Sequence, residues 1–135
     1  MFYAVIDAAS LKNPTILNNF RHRKVTVRYE PESPTSKYHY IFLLEIQVTE
    51  IEENISKIQK EMLVSWYSFF WSETVLYIVF NSKRFRIDIP SGWLSDQYKA
   101  AQELGRKQQI PEVYLDFKTH FQPYRNMILS SNGGG

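Results

Sequence analysis

The amino-acid sequence predicts a single α+β domain with three helices and a mixed, mostly antiparallel sheet of five to six strands, in the order β-α-β-β-α-β-β-α-β. Two observations support this prediction. The hydrophobic periodicity switches several times between two, typical of strands, and about 3.6, typical of helices. The chain of 135 residues is also 44% apolar, with 9 Phe, 9 Tyr and 3 Trp, which is enough for one hydrophobic core. We expect the domain to span residues 1–128, followed by a disordered polar and glycine-rich tail at 129–135.

Two elements are predicted in the first twenty residues. Phe2–Ile6 is a short apolar run, which suits a buried strand. Asn13 and Pro14 have the order of an N-cap residue followed by proline in the first turn. A short helix is therefore expected from there to about Phe20.

The next segment predicts two neighbouring antiparallel strands. Residues 24–30 alternate polar and apolar side chains, as in a strand with one solvent-exposed face. Residues 30–36 are rich in proline and serine, so they are expected to form an exposed loop. Residues 38–48 are apolar on one face throughout and on both faces near the middle, which predicts a central strand.

A helix is predicted after this central strand. Thr49 and Glu52 have the spacing of a capping box. Apolar residues then recur at helical spacing, at Ile51, Ile55, Ile58 and Met62. We favour a helix to about Trp66, although residues 63–71 also fit a strand and the sequence leaves that choice open.

The remaining elements are a hairpin, a helix and a strand. Val75–Phe80 and Arg84–Ile89 flank a short polar connector and predict the hairpin. Ser95 is an N-cap candidate for a helix to about Gln109. Val113–Phe117 alternates and predicts a last strand, and we expect the helices to cover one face of the sheet.

Composition excludes several classes of protein. The chain has no cysteine, so disulfides and cysteine-ligated zinc are excluded. No apolar stretch approaches the length of a membrane span and the N-terminus lacks the order of a signal peptide, so we expect a cytoplasmic protein without membrane contact. The net charge of +2 is too small to identify a nucleic-acid-binding protein by itself.

Two basic groups are candidates for binding the phosphates of a nucleic acid. The first lies near the end of the first predicted helix and the second in the later hairpin. Their residues are Arg21, Arg23, Lys24, Arg28, Lys83, Arg84 and Arg86. Binding requires both groups to lie on the same side of the fold. The alternative is that cations at a helix end complement the helix dipole and face solvent.

A cluster of aromatic residues is a candidate protein interface. Its members are Trp66, Tyr67, Phe69, Phe70 and Trp71. Two alternatives remain open, because aromatic residues at this spacing also form a core, and aromatic rings beside a basic hairpin can stack on single-stranded nucleic acid.

No set of catalytic residues is recognisable, and we expect no cofactor and no metal. His22, His39 and His120 are far apart and none has a partner at metal-ligand spacing, so His39 is expected to be a structural histidine. One carboxylate pattern, Glu30 or Glu32 followed by Glu45, resembles the metal site of restriction-type nucleases. That family prefers lysine where this chain has Gln47.

Residues 75–128 contain a hairpin, a helix, Ile110-Pro111 and Pro123-Tyr124-Arg125. In this order of elements they resemble the C-terminal half of small cyanobacterial element-excision controlling factors. The first 60 residues and the hairpin turn do not follow that family, so the resemblance implies no activity or site here.

Taken together, these features favour a small, soluble, non-enzymatic accessory or interaction protein. It would act through a binding surface and self-associate through an aromatic patch or a sheet edge. One alternative is a nucleic-acid-associated protein that uses the two basic groups. A second is a metal-dependent nuclease-like enzyme built around Glu45.

Overall fold

The computed structural model of this chain describes residues 1–33 and 37–133. Six strands within these ranges form one antiparallel sheet. The strand order across the sheet is β2-β3-β1-β4-β5-β6. The strands are β1 (Phe2–Asp7), β2 (Arg21–Tyr29), β3 (Tyr38–Ile46), β4 (Tyr67–Trp71), β5 (Val75–Phe80) and β6 (Arg84–Asp88). The predicted α+β class is confirmed, and every neighbouring pair of these strands is antiparallel.

Three α-helices and several short 3-10 turns connect the strands. The helices are α1 (Ile51–Glu61), α2 (Asp96–Lys107) and α3 (Phe117–Gly133). The 3-10 turns are Ala8–Ser10, Pro14–Asn19, Val48–Glu50, Ser91–Leu94 and Glu112–Leu115. Within the described residues, no helix is long and apolar enough to cross a membrane.

The helices cover both faces of the sheet, whereas the sequence predicted cover on one face. On the first side, which we call the α1 face, Leu44 and Phe70 pack in one core with Ile55 of α1. On the opposite side, the α3 face, Leu43 and Phe69 belong to a second core that includes residues of α2 and α3. Two cores form because the central strands are apolar on both sides.

Two boundaries in the first half differ from the prediction. The helix expected up to Phe20 is the 3-10 turn Pro14–Asn19, and β2 begins directly after it at Arg21. Helix α1 ends at Glu61, and the ambiguous aromatic segment forms strand β4. Pairing with β1 and β5 stabilises this strand, and pairing of that kind cannot be read from local periodicity.

The predicted last strand, Val113–Phe117, is wrong. Its first part is the 3-10 turn Glu112–Leu115, and Phe117 begins α3. Phe117, Phe121 and Ile128 recur at helical spacing and are buried in the core on the α3 face. The helix includes residues 129–133, which were predicted to belong to a disordered tail. Residues 134–135 lie outside the described residues.

Candidate interaction surface

The most exposed part of the sheet is the hairpin of β2 and β3. Strand β2 has nine residues and lies at the edge of the sheet, so it is hydrogen-bonded on one side only. Its register places Val27 opposite Tyr40 and Tyr29 opposite Tyr38. An open edge of this length presents unpaired backbone groups to which another strand can pair.

The register identifies which backbone groups point outward. The N–H of Glu30 donates to the carbonyl oxygen of Lys37 at 2.6 Å, so these two residues form a hydrogen-bonded pair. Hydrogen-bonded and non-hydrogen-bonded pairs alternate along an antiparallel ladder. The N–H and C=O groups of Val25, Val27 and Tyr29 therefore point away from β3, towards the open edge.

The same three residues carry an exposed apolar stripe. Their side chains are 44%, 56% and 58% exposed for Val25, Val27 and Tyr29, in that order. Tyr38 and Tyr40 beside them are 52% and 48% exposed. Contiguous exposed apolar surface on a protein is typical of an interaction site. We call this stripe, together with the open backbone edge of β2, the edge surface.

The edge surface lies on the α1 face, beyond the part that the helices cover. Val25 is opposite Phe42, which is opposite Ile6 in the core of that face. The exposure of side chains on this face changes along β3: Leu44 is completely buried, whereas Tyr40 is half exposed. The uncovered apolar surface therefore follows from where the covering elements end.

Sequence reasoning did not select the residues of the edge surface as a site. The alternation of residues 24–30 predicts only a strand with one solvent-exposed face. That prediction places the apolar side chains of 24–30 on the covered face. The tertiary structure leaves both faces of β2 accessible, since none of its nine side chains is buried.

The three arginines of β2 each lie close to a carboxylate of the same hairpin. Arg21 and Arg23 both contact Glu45, at 3.1 and 2.7 Å. Arg28 lies 3.7 Å from Glu30. Arg23 sits in a β-bulge, where the register with β3 shifts between His22 and Lys24. These ion pairs reduce the net positive charge that the first predicted basic group presents.

The second predicted basic group lies at the opposite edge of the sheet. Arg84 and Arg86 are on β6, and Lys83 immediately precedes that strand. Five strand spacings separate β6 from β2, which is about 24 Å. Arg84 and Arg86 contact Glu52 and Asp88, at 2.6 and 3.6 Å. The structure thus does not join the two groups into the single basic surface that the nucleic-acid alternative requires.

The five clustered aromatic residues are distributed between the two cores. Phe69, Phe70 and Trp71 are buried, at 3%, 0% and 2% exposure. Phe69 and Trp71 belong to the core on the α3 face, and Phe70 belongs to the core on the α1 face. A partner cannot contact these three side chains without opening the core. Their burial gives no support to the predicted interface, which stays a prediction.

Trp66 and Tyr67, the other two members of the cluster, are partly buried. The hydroxyl of Tyr67 donates to the carbonyl oxygen of Tyr114 at 2.5 Å. Burial raises the pKa of Tyr67 well above its ordinary value, and the nearby Tyr98 raises it further. These contacts assign Tyr67 a role in packing against the segment that leads into α3.

His39 is buried, as expected of a structural histidine, and its ring lies among polar groups of β1 and of the turn that follows β2. Its Nδ1 is 2.7 Å from Oδ2 of Asp7. Its Nε2 is 3.4 Å from both Oγ of Ser33 and Oε2 of Glu30. A serine, a histidine and an aspartate in this order also occur in hydrolases. Here His39 is only 5% exposed, and its Nε2 lies near a second carboxylate, that of Glu30, as well as near the serine. These contacts favour a structural role for His39.

The carboxylates of the nuclease alternative are not assembled into a site. Glu45 is held by two arginines near one end of the hairpin. Glu30 follows the other end of β2, nine residues beyond the partner of Glu45, which corresponds to about 30 Å. Among residues 1–33 and 37–133, no group of three or more His, Asp or Glu side chains could hold a metal ion.

Compared with known proteins, the chain matches no family model, no curated protein and no solved structure. The resemblance of residues 75–128 to excision controlling factors therefore gains no support from these comparisons.

Proposed function

We propose that this protein is a non-enzymatic interaction protein that self-associates through the edge surface. The observation that carries the proposal is a coincidence of two properties on Val25, Val27 and Tyr29. These residues direct free backbone groups to the open edge and also expose apolar side chains. Addition of a strand to a sheet edge uses both properties, because the backbone provides affinity and the side chains provide specificity.

Two contributions to the free energy would favour association. Each backbone hydrogen bond made at the edge contributes about 0.5–1.5 kcal/mol net. Removal of apolar surface from water contributes about 25 cal/mol per Å². The half-exposed valines and tyrosines of the stripe supply that surface on the free protein.

The ion pairs along β2 reduce the electrostatic repulsion that would oppose self-association. The hairpin carries several arginines, and unpaired like charges would repel a second copy. Arg21 and Arg23 share Glu45, and Arg28 is next to Glu30, so two carboxylates balance about half of the positive charge of the four cations on β2. These ion pairs therefore lower the electrostatic repulsion between two such hairpins.

Sedimentation velocity over a wide range of concentrations tests the proposal. We expect the wild-type chain to show concentration-dependent association, and Val27→Asp to lose it because the aspartate places a charge in the stripe. Val113→Asp is the matched control, since Val113 is 66% exposed but lies on the turn Glu112–Leu115, away from β2. A wild-type chain that remains monomeric throughout would contradict the proposal.

A further inference from the structure

We infer that two copies pair through their β2 strands, antiparallel and related by a two-fold axis at Val27. This inference rests on the self-association proposed above and specifies its partner and register. Val27 then lies opposite Val27 of the second copy, and Val25 lies opposite Tyr29. The two six-stranded sheets join into one continuous sheet.

Backbone geometry selects this register first. The outward groups belong to Val25, Val27 and Tyr29, so these residues must pair among themselves to use all of their donors and acceptors. Only an axis at Val27 pairs all three with members of the same set. An axis at residue 25 or 26 pairs Tyr29 with residue 21 or 23, and an axis at residue 28 or 29 brings Pro31 into the ladder.

In the same register, the two irregular positions of β2 lie opposite each other across the junction. The β-bulge at Arg23 disturbs the ladder on one side, and Pro31 has no N–H to donate on the other. With the axis at Val27, Arg23 of one copy faces Pro31 of the second copy. Both interruptions therefore fall at the ends of the paired segment 24–30.

Charge selects the same register independently. Lys24 is exposed and the Glu30 side chain is 37% exposed, and both project from the α3 side of the hairpin. With the axis at Val27, Lys24 lies opposite Glu30 of the second copy, so that this carboxylate lies between Lys24 and Arg28 of its own copy, and symmetry repeats the contact. Opposite charges on directly opposed residues stabilise a strand pair, and like charges destabilise it.

A shift of the axis by one residue in either direction removes this complementarity. With the axis at residue 26, Lys24 of each copy lies opposite Arg28 of the other. With the axis at residue 28, Arg28 lies opposite its own symmetry mate. Like charges then oppose each other in both shifted registers.

The side chains of the α1 face also match. Val27 meets its own copy and Val25 meets Tyr29, so the two exposed stripes become one apolar band across the junction. Tyr38 and Tyr40 flank that band on the neighbouring strands. The apolar surface that is uncovered in one copy is thus covered at its outer margin by the second copy.

Cysteine cross-linking of the full chain tests the register, because the protein has no cysteine of its own. In the proposed register, Val27→Cys places two thiols on directly opposed residues, at about 5.5 Å between Cα atoms, which a disulfide can span. Tyr29→Cys is the matched control, since Tyr29 has nearly the same exposure as Val27 but would lie about 14 Å from its symmetry mate. A mixture of Val25→Cys and Tyr29→Cys chains should form the mixed dimer.

The expected result under mild oxidation is a disulfide-linked dimer for Val27→Cys, little for Tyr29→Cys alone, and the heterodimer in the mixture. Association of the wild-type chain that Val27→Asp abolishes, combined with equal cross-linking at both positions, would overturn the register and leave the proposed function intact. A monomeric wild-type chain with no cross-linking would overturn both. Circular dichroism of each variant verifies that the fold is preserved.

Discussion

Nδ1 of His39 lies 2.7 Å from Oδ2 of Asp7, which joins the second strand of the edge hairpin to β1 through a polar contact as well as through the backbone ladder. The other ring nitrogen faces Glu30, the residue that follows β2. One buried imidazole therefore connects β1, β3 and the end of the edge strand. The same imidazole thus contacts Glu30, the residue that the proposed dimer places opposite Lys24.

We expect His39→Ala to lower the free energy of unfolding by about 2–4 kcal/mol, because Oδ2 of the partly buried Asp7 loses the imidazole while Oδ1 keeps only the backbone N–H of Ala9. Urea denaturation at neutral pH measures this loss. His120→Ala is the control, since the His120 ring contacts the carbonyl oxygen of Val113 and the ring of Tyr114 in an exposed setting and, among the described residues, faces no carboxylate there. A loss no larger than that of the control would contradict the structural role of His39.

The raised pKa of Tyr67 predicts that the free energy of unfolding falls at alkaline pH. Its folded-state pKa is raised above the ordinary tyrosine value of about 10, mainly by burial. Above pH 10 the unfolded chain releases this proton while the folded chain retains it, so the stability falls as the pH rises. Tyr67→Phe has no such proton, and we expect its stability to fall less steeply in that range. Chemical denaturation at several alkaline pH values gives both slopes, and equal slopes would contradict the prediction.

Substitution of Phe121 tests the packing of α3 against the sheet. Its ring lies 5.2 Å from the ring of Trp71, in an edge-to-face arrangement, and it is completely buried. We expect Phe121→Ala to cost about 3–5 kcal/mol of stability, measured by thermal or urea unfolding. Leu129→Ala on the same helix should cost less than about 1 kcal/mol, because Leu129 is 51% exposed. Similar costs for the two variants would contradict the packing of this helix.

Charge reversal provides an independent test of the dimer register. Lys24→Glu alone and Glu30→Lys alone each create two like-charge contacts across the proposed junction, and we expect each to weaken self-association roughly tenfold. An equimolar mixture of the two variants restores both ion pairs between unlike chains. Sedimentation of the mixture should therefore show a heterodimer that is stronger than either homodimer. A mixture that associates no better than its components would contradict the register.

Elements with strong local signals were predictable from the sequence. The hairpin of β5 and β6 and the helix α2 lie where the periodicity places them, and Ser95 caps α2 by accepting from the backbone N–H of Tyr98. Helix α1 has its predicted apolar stripe, buried at Ile51, Ile55 and Ile58. In each case one covered face gives a period that a short window detects.

Elements whose conformation depends on distant partners were predicted less well. Val113–Phe117 alternates like a strand, but Leu115 and Phe117 are buried against the sheet from a turn and a helix. The segment at Tyr67–Trp71 fits helix and strand patterns equally, and pairing on both sides decides for the strand. A local pattern cannot distinguish these outcomes, because the stabilising contacts come from residues far away in the chain.

The sequence by itself determined the α+β class, the alternation of β2 and β3, and the absence of cysteine chemistry, since each depends on composition or local order alone. Only the tertiary structure decided that β2 is an edge strand, that Phe69 and Phe70 enter opposite cores, and that the two basic groups lie at opposite edges. The physical reason is that exposure and charge pairing depend on which segments cover a strand. In this chain those segments are distant in sequence, so the candidate site emerges only when the sheet is assembled.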